Sequence, residues 1–226
     1  MKIQIKEKEA LKILLSVFFM LFIMNAAIYI IKFAYGYDSL LGLTRFFNFY
    51  EESNLPTWFS SFLLTISSFI LLVISLQKEN YRDKNSWIIL AILFLFLSID
   101  ETAKIHELIG SILSKTKVQQ LLPNENSSSW VFFGGLATTL VVMYFFRFWL
   151  RQQADIRILF LVAAIMFIGG ALGFEVIEIY YLSISGTNIT FYVLTTIEES
   201  LEMLGIIIFI YALLKKTNSI PEINQD

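Results

Sequence analysis

Six stretches of the chain stay apolar for about the 20 residues a helix needs to cross a bilayer. They cover residues 11–31, 58–76, 87–106, 130–150, 158–182 and 191–214. The runs are continuous rather than alternating, which separates them from the roughly 10-residue, period-two strands of a membrane barrel. The pattern predicts an all-α, polytopic membrane helical bundle: about six transmembrane helices in a single integral membrane domain over residues 1–226. The first run is too long for the apolar part of a signal peptide and lacks a small-residue cleavage site, so it reads as a first span.

Two of the connecting segments are amphipathic. Residues 38–52 (DSLLGLTRFFNFYEE) open with Asp38 or Ser39 as an N-cap and carry Leu40, Leu41, Phe46, Phe47 and Phe49. Residues 105–122 continue the third run with Leu108, Ile109, Ile112, Leu113, Val118, Leu121 and Leu122 at helical spacing, interleaved with lysines. Both are expected to be helices lying at the outer interface, either covering the mouth of the bundle or serving as plain connectors.

Basic residues then orient the spans. Lys2, Lys6, Lys8 and Lys12 precede the first run; Lys78, Arg82 and Lys84 follow the second; Arg147, Arg151 and Arg157 follow the fourth; Lys215 and Lys216 follow the sixth. The intervening segments hold only Lys32 and Arg45, then Lys115 and Lys117, then no charge at all. Lysine and arginine collect on the cytoplasmic side of membrane helices, so both termini are expected there.

Composition agrees with that class. Hydrophobic residues make up 57% of the chain and charged ones 16%, against roughly half and a quarter in soluble domains. The mean hydropathy is +0.68. A net charge of −2 with no basic face excludes nucleic acid as a partner and leaves the lipid bilayer as the expected one. The absence of cysteine rules out disulfides, thiol nucleophiles and thiolate metal sites. Oligomeric state is not encoded in any of these features.

The acids change the picture. Ionisable groups inside a span are costly and tend to face the bundle interior or water. The third run ends SIDETAKIHE, with Asp100, Glu101, Lys104, His106 and Glu107; the fifth ends with Glu175 and Glu178; the sixth opens with Glu198, Glu199 and Glu202. At about 1.5 Å per residue, Asp100 lies roughly 20 Å above Trp87 in a core of roughly 30 Å. Glu198 lies about 10 Å and Glu202 about 16 Å inward from Phe191. Three helices thus bring acids to one half of the membrane. Glu198, Glu199 and Glu202 crowd one face below Thr195, Glu175 and Glu178 are three apart, and Asp100, Lys104 and Glu107 form a stripe from which Glu101 and His106 point away. Gly169 and Gly173 form a small-xxx-small face for close helix approach.

Eight carboxyl groups against one lysine and one histidine cannot all be ionised without a compensating cation. The candidate ligands are Asp100, Glu101, His106, Glu175, Glu198, Glu199 and Glu202. The candidate occupants are protons or a divalent metal: Mn, Fe or Zn by virtue of the imidazole, Mg or Ca by virtue of the oxygens. Glu107 and Glu178 are read as reaching headgroup water, and Glu51 and Glu52 as a solvated acidic turn. Asn126 and Asn188 match the glycosylation pattern. A classical di-metal carboxylate bundle is excluded because Lys104 occupies the position three after Glu101, and multi-histidine zinc because His106 stands alone. No nucleotide-binding loop, retinal-attachment lysine or Ser-His-Asp set is present. Three uses fit such a cluster: ion or proton transport, metal-dependent chemistry on a lipid-like substrate, and a non-catalytic assembly or sensing role.

Overall fold

The computed structural model describes residues 6–37, 42–77, 80–114 and 129–218, with the side chains of Arg82, Leu113, Ser114 and Ser129 left out. The expectations placed on Lys2, Asp38, Ser39, Leu40, Leu41, Lys78, Lys115, Lys117, Val118, Leu121, Leu122 and Asn126 lie outside the described residues.

The chain folds as α1 (Glu7–Tyr35), α2 (Leu43–Phe47), α3 (Leu55–Leu76), α4 (Tyr81–Ala103), α5 (Ile105–Ser114), α6 (Ser129–Leu150), α7 (Ala154–Ile168), a π-helical segment (Gly169–Phe174), α8 (Glu175–Ser185) and α9 (Ile189–Asn218). No strand occurs among the described residues. Five segments are long and apolar enough to cross a membrane: Glu7–Tyr35, Leu55–Leu76, Asp83–Ala103, Trp130–Leu150 and Ala154–Ser185. The sixth apolar run forms α9, whose apolar continuity is interrupted by Glu198, Glu199 and Glu202.

Local chemistry fixes the helix ends. Asn54 caps α3 by accepting from the Thr57 N–H, with Pro56 in the first turn where its missing N–H is harmless. Asn188 caps α9 by accepting from the N–H groups of Thr190 and Phe191, so this residue serves as a helix cap. Gly36, at φ 72°, closes α1 by donating its N–H to Lys32 O.

Contacts at the helix ends show that the helices run up and down. At the basic end, Asn218 of α9 donates to Glu7 of α1 at 2.7 Å, Lys215 pairs with Asp155 of α7 at 2.8 Å, and Arg151 beyond α6 pairs with Asp83 of α4 at 3.1 Å. The first and last helices therefore begin and end on one side of the bundle. At the opposite end, Lys32 of α1 donates to the Tyr192 hydroxyl of α9 at 3.0 Å.

Helix α9 lies at the centre. One of its faces puts Met203, Ile206, Ile207 and Ile210 against Phe18 and Leu21 of α1 and Phe59, Leu63 and Leu64 of α3. The other puts Phe209, Ala212 and Leu213 against Trp87, Phe160 and Ala163 of α4 and α7. A helix that is apolar all round has neighbours all round. Helices α3 and α4 approach closely through hydroxyl side chains: Ser61 Oγ donates to Ser98 O, Ser98 Oγ donates to Ser61 O, and Ser68 Oγ donates to Ala91 O, all within 2.9 Å. By contrast, α6 leaves Leu136, Leu140, Met143 and Tyr144 exposed.

The structure corrects three expectations of the fold. The segment over 38–52 is not a long interfacial helix in its described part: α2 spans only Leu43–Phe47, and the chain then turns inward. Phe49 and Asn48 are buried at 3% and 2% exposure, because Asn48 accepts from the Tyr29 hydroxyl at 2.6 Å and Phe49 N donates to the fully buried Asn25 at 2.9 Å. The third run does not continue straight through His106; it breaks at Lys104, whose φ of 54° is left-handed. Finally, Gly169 and Gly173 border open space, and the close approach is made by Gly170 and Gly205 instead.

A Cβ on Gly205 would stand 2.8 Å from Phe167 N and 2.9 Å from Ala163 O, both backbone atoms that cannot swing aside. Gly205→Ala is expected to force α7 and α9 apart and cost about 1–3 kcal/mol of stability, the usual range for overpacking. Gly173→Ala, with nothing within 4 Å, is expected to be close to neutral. Thermal unfolding of both variants in detergent checks this; equal midpoints would remove the close approach as a determinant of stability.

Candidate functional site

The site forms where α4, α5, α8 and α9 meet at the end away from the basic residues. Its first part is the α4–α5 break. Lys104 N donates to Asp100 O at 2.7 Å, closing α4 in the manner of a left-handed C-terminal residue. The next helix then starts with N–H groups that lack intrahelical partners. Asp100 supplies one: its Oδ1 accepts from His106 N at 2.8 Å, while Oδ2 meets His106 Nδ1 at 2.9 Å. His106 thus turns back onto Asp100, whereas a straight helix would point it elsewhere. Its ring also lies 4.8 Å from the Trp130 ring of α6. Gly134 leaves room for that indole, since a Cβ there would come within 2.7 Å of it.

The Lys104 side chain forms an ion pair with Glu52 and stands 3.9 Å from Glu107. The acidic turn before α3 is therefore docked on the break rather than simply solvated. Glu107 is exposed, as expected of a group at the rim.

The second part lies between α8 and α9. Glu178 is buried at 8% exposure, not turned to headgroup water, and its Oε2 accepts from Thr195 Oγ1 at 2.9 Å. Its Oε1 is buried with no donor supplied by the described residues. Glu198 is equally buried and lies within electrostatic reach of both Glu178 and Glu175. Carboxyl groups buried this close together cannot all be ionised without a compensating proton or cation.

The third part is deeper. Glu101 of α4 lies beside the buried Ser60 of α3. Glu199 and Glu202 of α9 lie within electrostatic reach of Glu101 and of the α8 acids. Glu202 is held in place by Gly170: a Cβ at that position would touch its Cγ at 2.8 Å and Glu198 O at 2.9 Å.

The structure places all seven residues singled out in the sequence in this one region, with Glu178 as an eighth member. Glu178 was missed because a helix-end acid three residues from another looks the same whether it faces lipid headgroups or a neighbouring helix. Asn25 was also missed. It is fully buried, donates to Thr196 at 3.0 Å and accepts from Phe49, tying α1 and the turn before α3 to α9 just beside the acids. An asparagine inside an apolar run was the available signal. The expected metal fares differently: among the described residues, no group of three or more His, Asp or Glu side chains is arranged to hold a metal ion.

These features define a class, an all-helical bundle compatible with an integral membrane protein, carrying a carboxyl cluster near one end. The chain belongs to the family described as a domain of unknown function (DUF8692), whose model matches residues 13–217 and so contains the whole cluster. No curated protein and no solved structure matches it.

His106 lies beyond the end of α4 and can be titrated. Burial works against its charge, but the hydrogen bond and charge of Asp100, helped by Glu107 and Glu175, outweigh this and raise its pKa above the usual 6.5. The stabilisation from a raised histidine pKa is fully present below the unfolded value and is lost as pH rises through the folded one. The thermal midpoint is therefore expected to fall as pH is raised above about 6.5. His106→Gln should flatten that dependence, measured by thermal unfolding in detergent over about pH 6–8. An unchanged slope would show that the Asp100–His106 pair is not its source.

Proposed function

We propose that this chain is a multi-pass integral membrane protein, with α9 as a sixth span and both termini cytoplasmic, whose carboxyl cluster binds protons from the outer side. The membrane reading is supported by the five long apolar helices, by the exposed large side chains of α1 and α6, and by the segregation of basic residues to one end. Helix α9 belongs among the spans because it is enclosed by α1, α3 and α7 along its length. Its acids are tolerated there because they face other helices rather than lipid.

The observation that carries the proton reading is the burial of Glu178 and Glu198 on facing helices, within electrostatic reach of each other and of Glu175. Among the described residues, no lysine or arginine is ion-paired with these three; Lys104, nearest in sequence to the α4 acids, is engaged by Glu52. With no counter-cation at hand, shared protons satisfy the group at the lowest cost, since an isolated ion in an apolar surrounding is penalised by several kcal/mol or more. Protons enter by way of Asp100 and His106 at the rim and reach Glu202, the deepest acid. Below it, Met203, Ile206, Ile207 and Ile210 are fully buried and seal the bundle. The site is one-sided: a proton-binding device, not an open path across the membrane.

Infrared spectroscopy of the purified protein tests this. A protonated carboxyl C=O band is expected at neutral pH, diminished in Glu198→Gln. Its absence from the parent, together with near-stoichiometric bound metal by elemental mass spectrometry, would replace the proton with a divalent cation. In liposomes, outer acidification is expected to cause proton uptake without steady flux; sustained flux abolished by Glu198→Gln would make the protein a transporter.

A further inference from the structure

The basic end of the bundle holds a second feature unrelated to the acids. A cavity of about 290 Å³ opens between the start of α4 and the end of α6, lined by Tyr81, Asn85, Ser86, Tyr144, Arg147 and Arg151. Arg151 is anchored by Asp83 at 3.1 Å. Arg147 stands four residues earlier on the same face of α6 and has no ion-pair partner among the described residues. With Arg151 paired to Asp83, Arg147 leaves the lining itself with an excess of positive charge, the complement of a phosphodiester anion.

We infer that this cavity binds the headgroup of an anionic phospholipid, with Arg147 as its principal contact. At about 290 Å³ the cavity lies at the lower bound of ordinary ligand pockets and has room for a phosphate with a small polar substituent. Two observations point to lipid rather than to a soluble anion. The cavity is flanked by Tyr81 and Tyr144, both exposed, and such amphipathic rings favour the headgroup level of a bilayer. An apolar stripe also leads away from it towards the middle of the bundle. Ile89 and Ile92 follow Asn85 at helical spacing on α4, and Leu140 and Leu136 precede Tyr144 on α6; all four are exposed. Helices α4 and α6 touch at few places. Acyl chains can lie along the shallow furrow between them while the phosphate sits over the arginines. Arginine suits this role better than lysine because its planar fork meets two phosphate oxygens at once.

The inference uses the membrane reading but not the carboxyl cluster, and its test leaves the cluster untouched. Native mass spectrometry of the whole protein in a non-ionic detergent would be run with equal amounts of phosphatidylglycerol and phosphatidylcholine of the same acyl chains. One phosphatidylglycerol is expected to be retained in preference to phosphatidylcholine. Arg147→Gln should weaken retention about fivefold, in line with one basic residue near an anionic headgroup, and Arg147→Lys should weaken it less. A thermal midpoint for Arg147→Gln equal to the parent's in lipid-free detergent would show that the variant is folded. Three results would each overturn the assignment: equal retention of the two lipids, undiminished retention by folded Arg147→Gln, or displacement of the lipid by an equal concentration of inorganic phosphate.

Discussion

The backbone-to-backbone approach of α7 and its π segment to α9 decides where the carboxyl groups of this protein lie. Gly170 on one side and Gly205 on the other lack the Cβ atoms that would hold the two apart; a Cβ at either position would fall 2.8–2.9 Å from atoms of the facing helix. The π turn does the rest. An extra residue in one turn rotates everything after it by roughly 100° relative to a regular helix. Glu175 and Glu178 come directly after that turn, and it is they that meet Glu198. Were Gly169–Phe174 an ordinary α-helical stretch, the α8 acids would be turned away from α9 towards a neighbour or the lipid. π segments recur at functional sites because they re-aim side chains without breaking a helix.

A second break of regular geometry completes the site from the other side. Lys104 takes a left-handed backbone at φ 54°, which costs an L-residue roughly 1–2 kcal/mol. That cost is offset by what the break permits. Asp100 caps the new helix and engages the imidazole of His106, and Lys104 itself reaches back to Glu52. The lysine is thus drawn towards Glu52 and the rim acid Glu107 rather than towards the deeper acids. Among the described residues, no lysine or arginine is ion-paired with Glu175, Glu178, Glu198, Glu199 or Glu202.

Much of this was legible in the sequence, because hydrophobic length is a strong signal and ionisable residues stand out against it. The six runs reappear as long helical segments, and Asp100, Glu101, His106, Glu175, Glu198, Glu199 and Glu202 do lie in one region. The hidden part depends on backbone geometry that side-chain periodicity assumes away. Counting at 3.6 residues per turn puts Gly169 and Gly173 on an interface and turns His106 from Asp100; a π segment and a left-handed lysine reverse both placements. The segment after α1 misled for a different reason. Phe46, Phe47 and Phe49 look like a membrane-facing stripe, yet Phe49 is buried because Asn25, inside α1, offers its backbone an acceptor. A polar residue within an apolar run carries information about a partner, not about itself.

Partners also explain why α9 alone among the long helices fails a simple test of apolarity. A helix exposed to lipid must be apolar on its own account, whereas a central helix needs only neighbours that match it. Its lower half is matched by packing: Met203, Ile206, Ile207, Ile210 and Leu213 are fully buried against α1, α3, α4 and α7. Its upper half is matched by hydrogen bonding, to Asn25 through Thr196 and to Glu178 through Thr195. A substitution in the lower half therefore acts through volume, and one in the upper half through the polar partner it leaves behind. The acids of the upper half lie within electrostatic reach of one another, so a change at one bears on the others, while residues 203–214 below carry no acid and are held by packing alone.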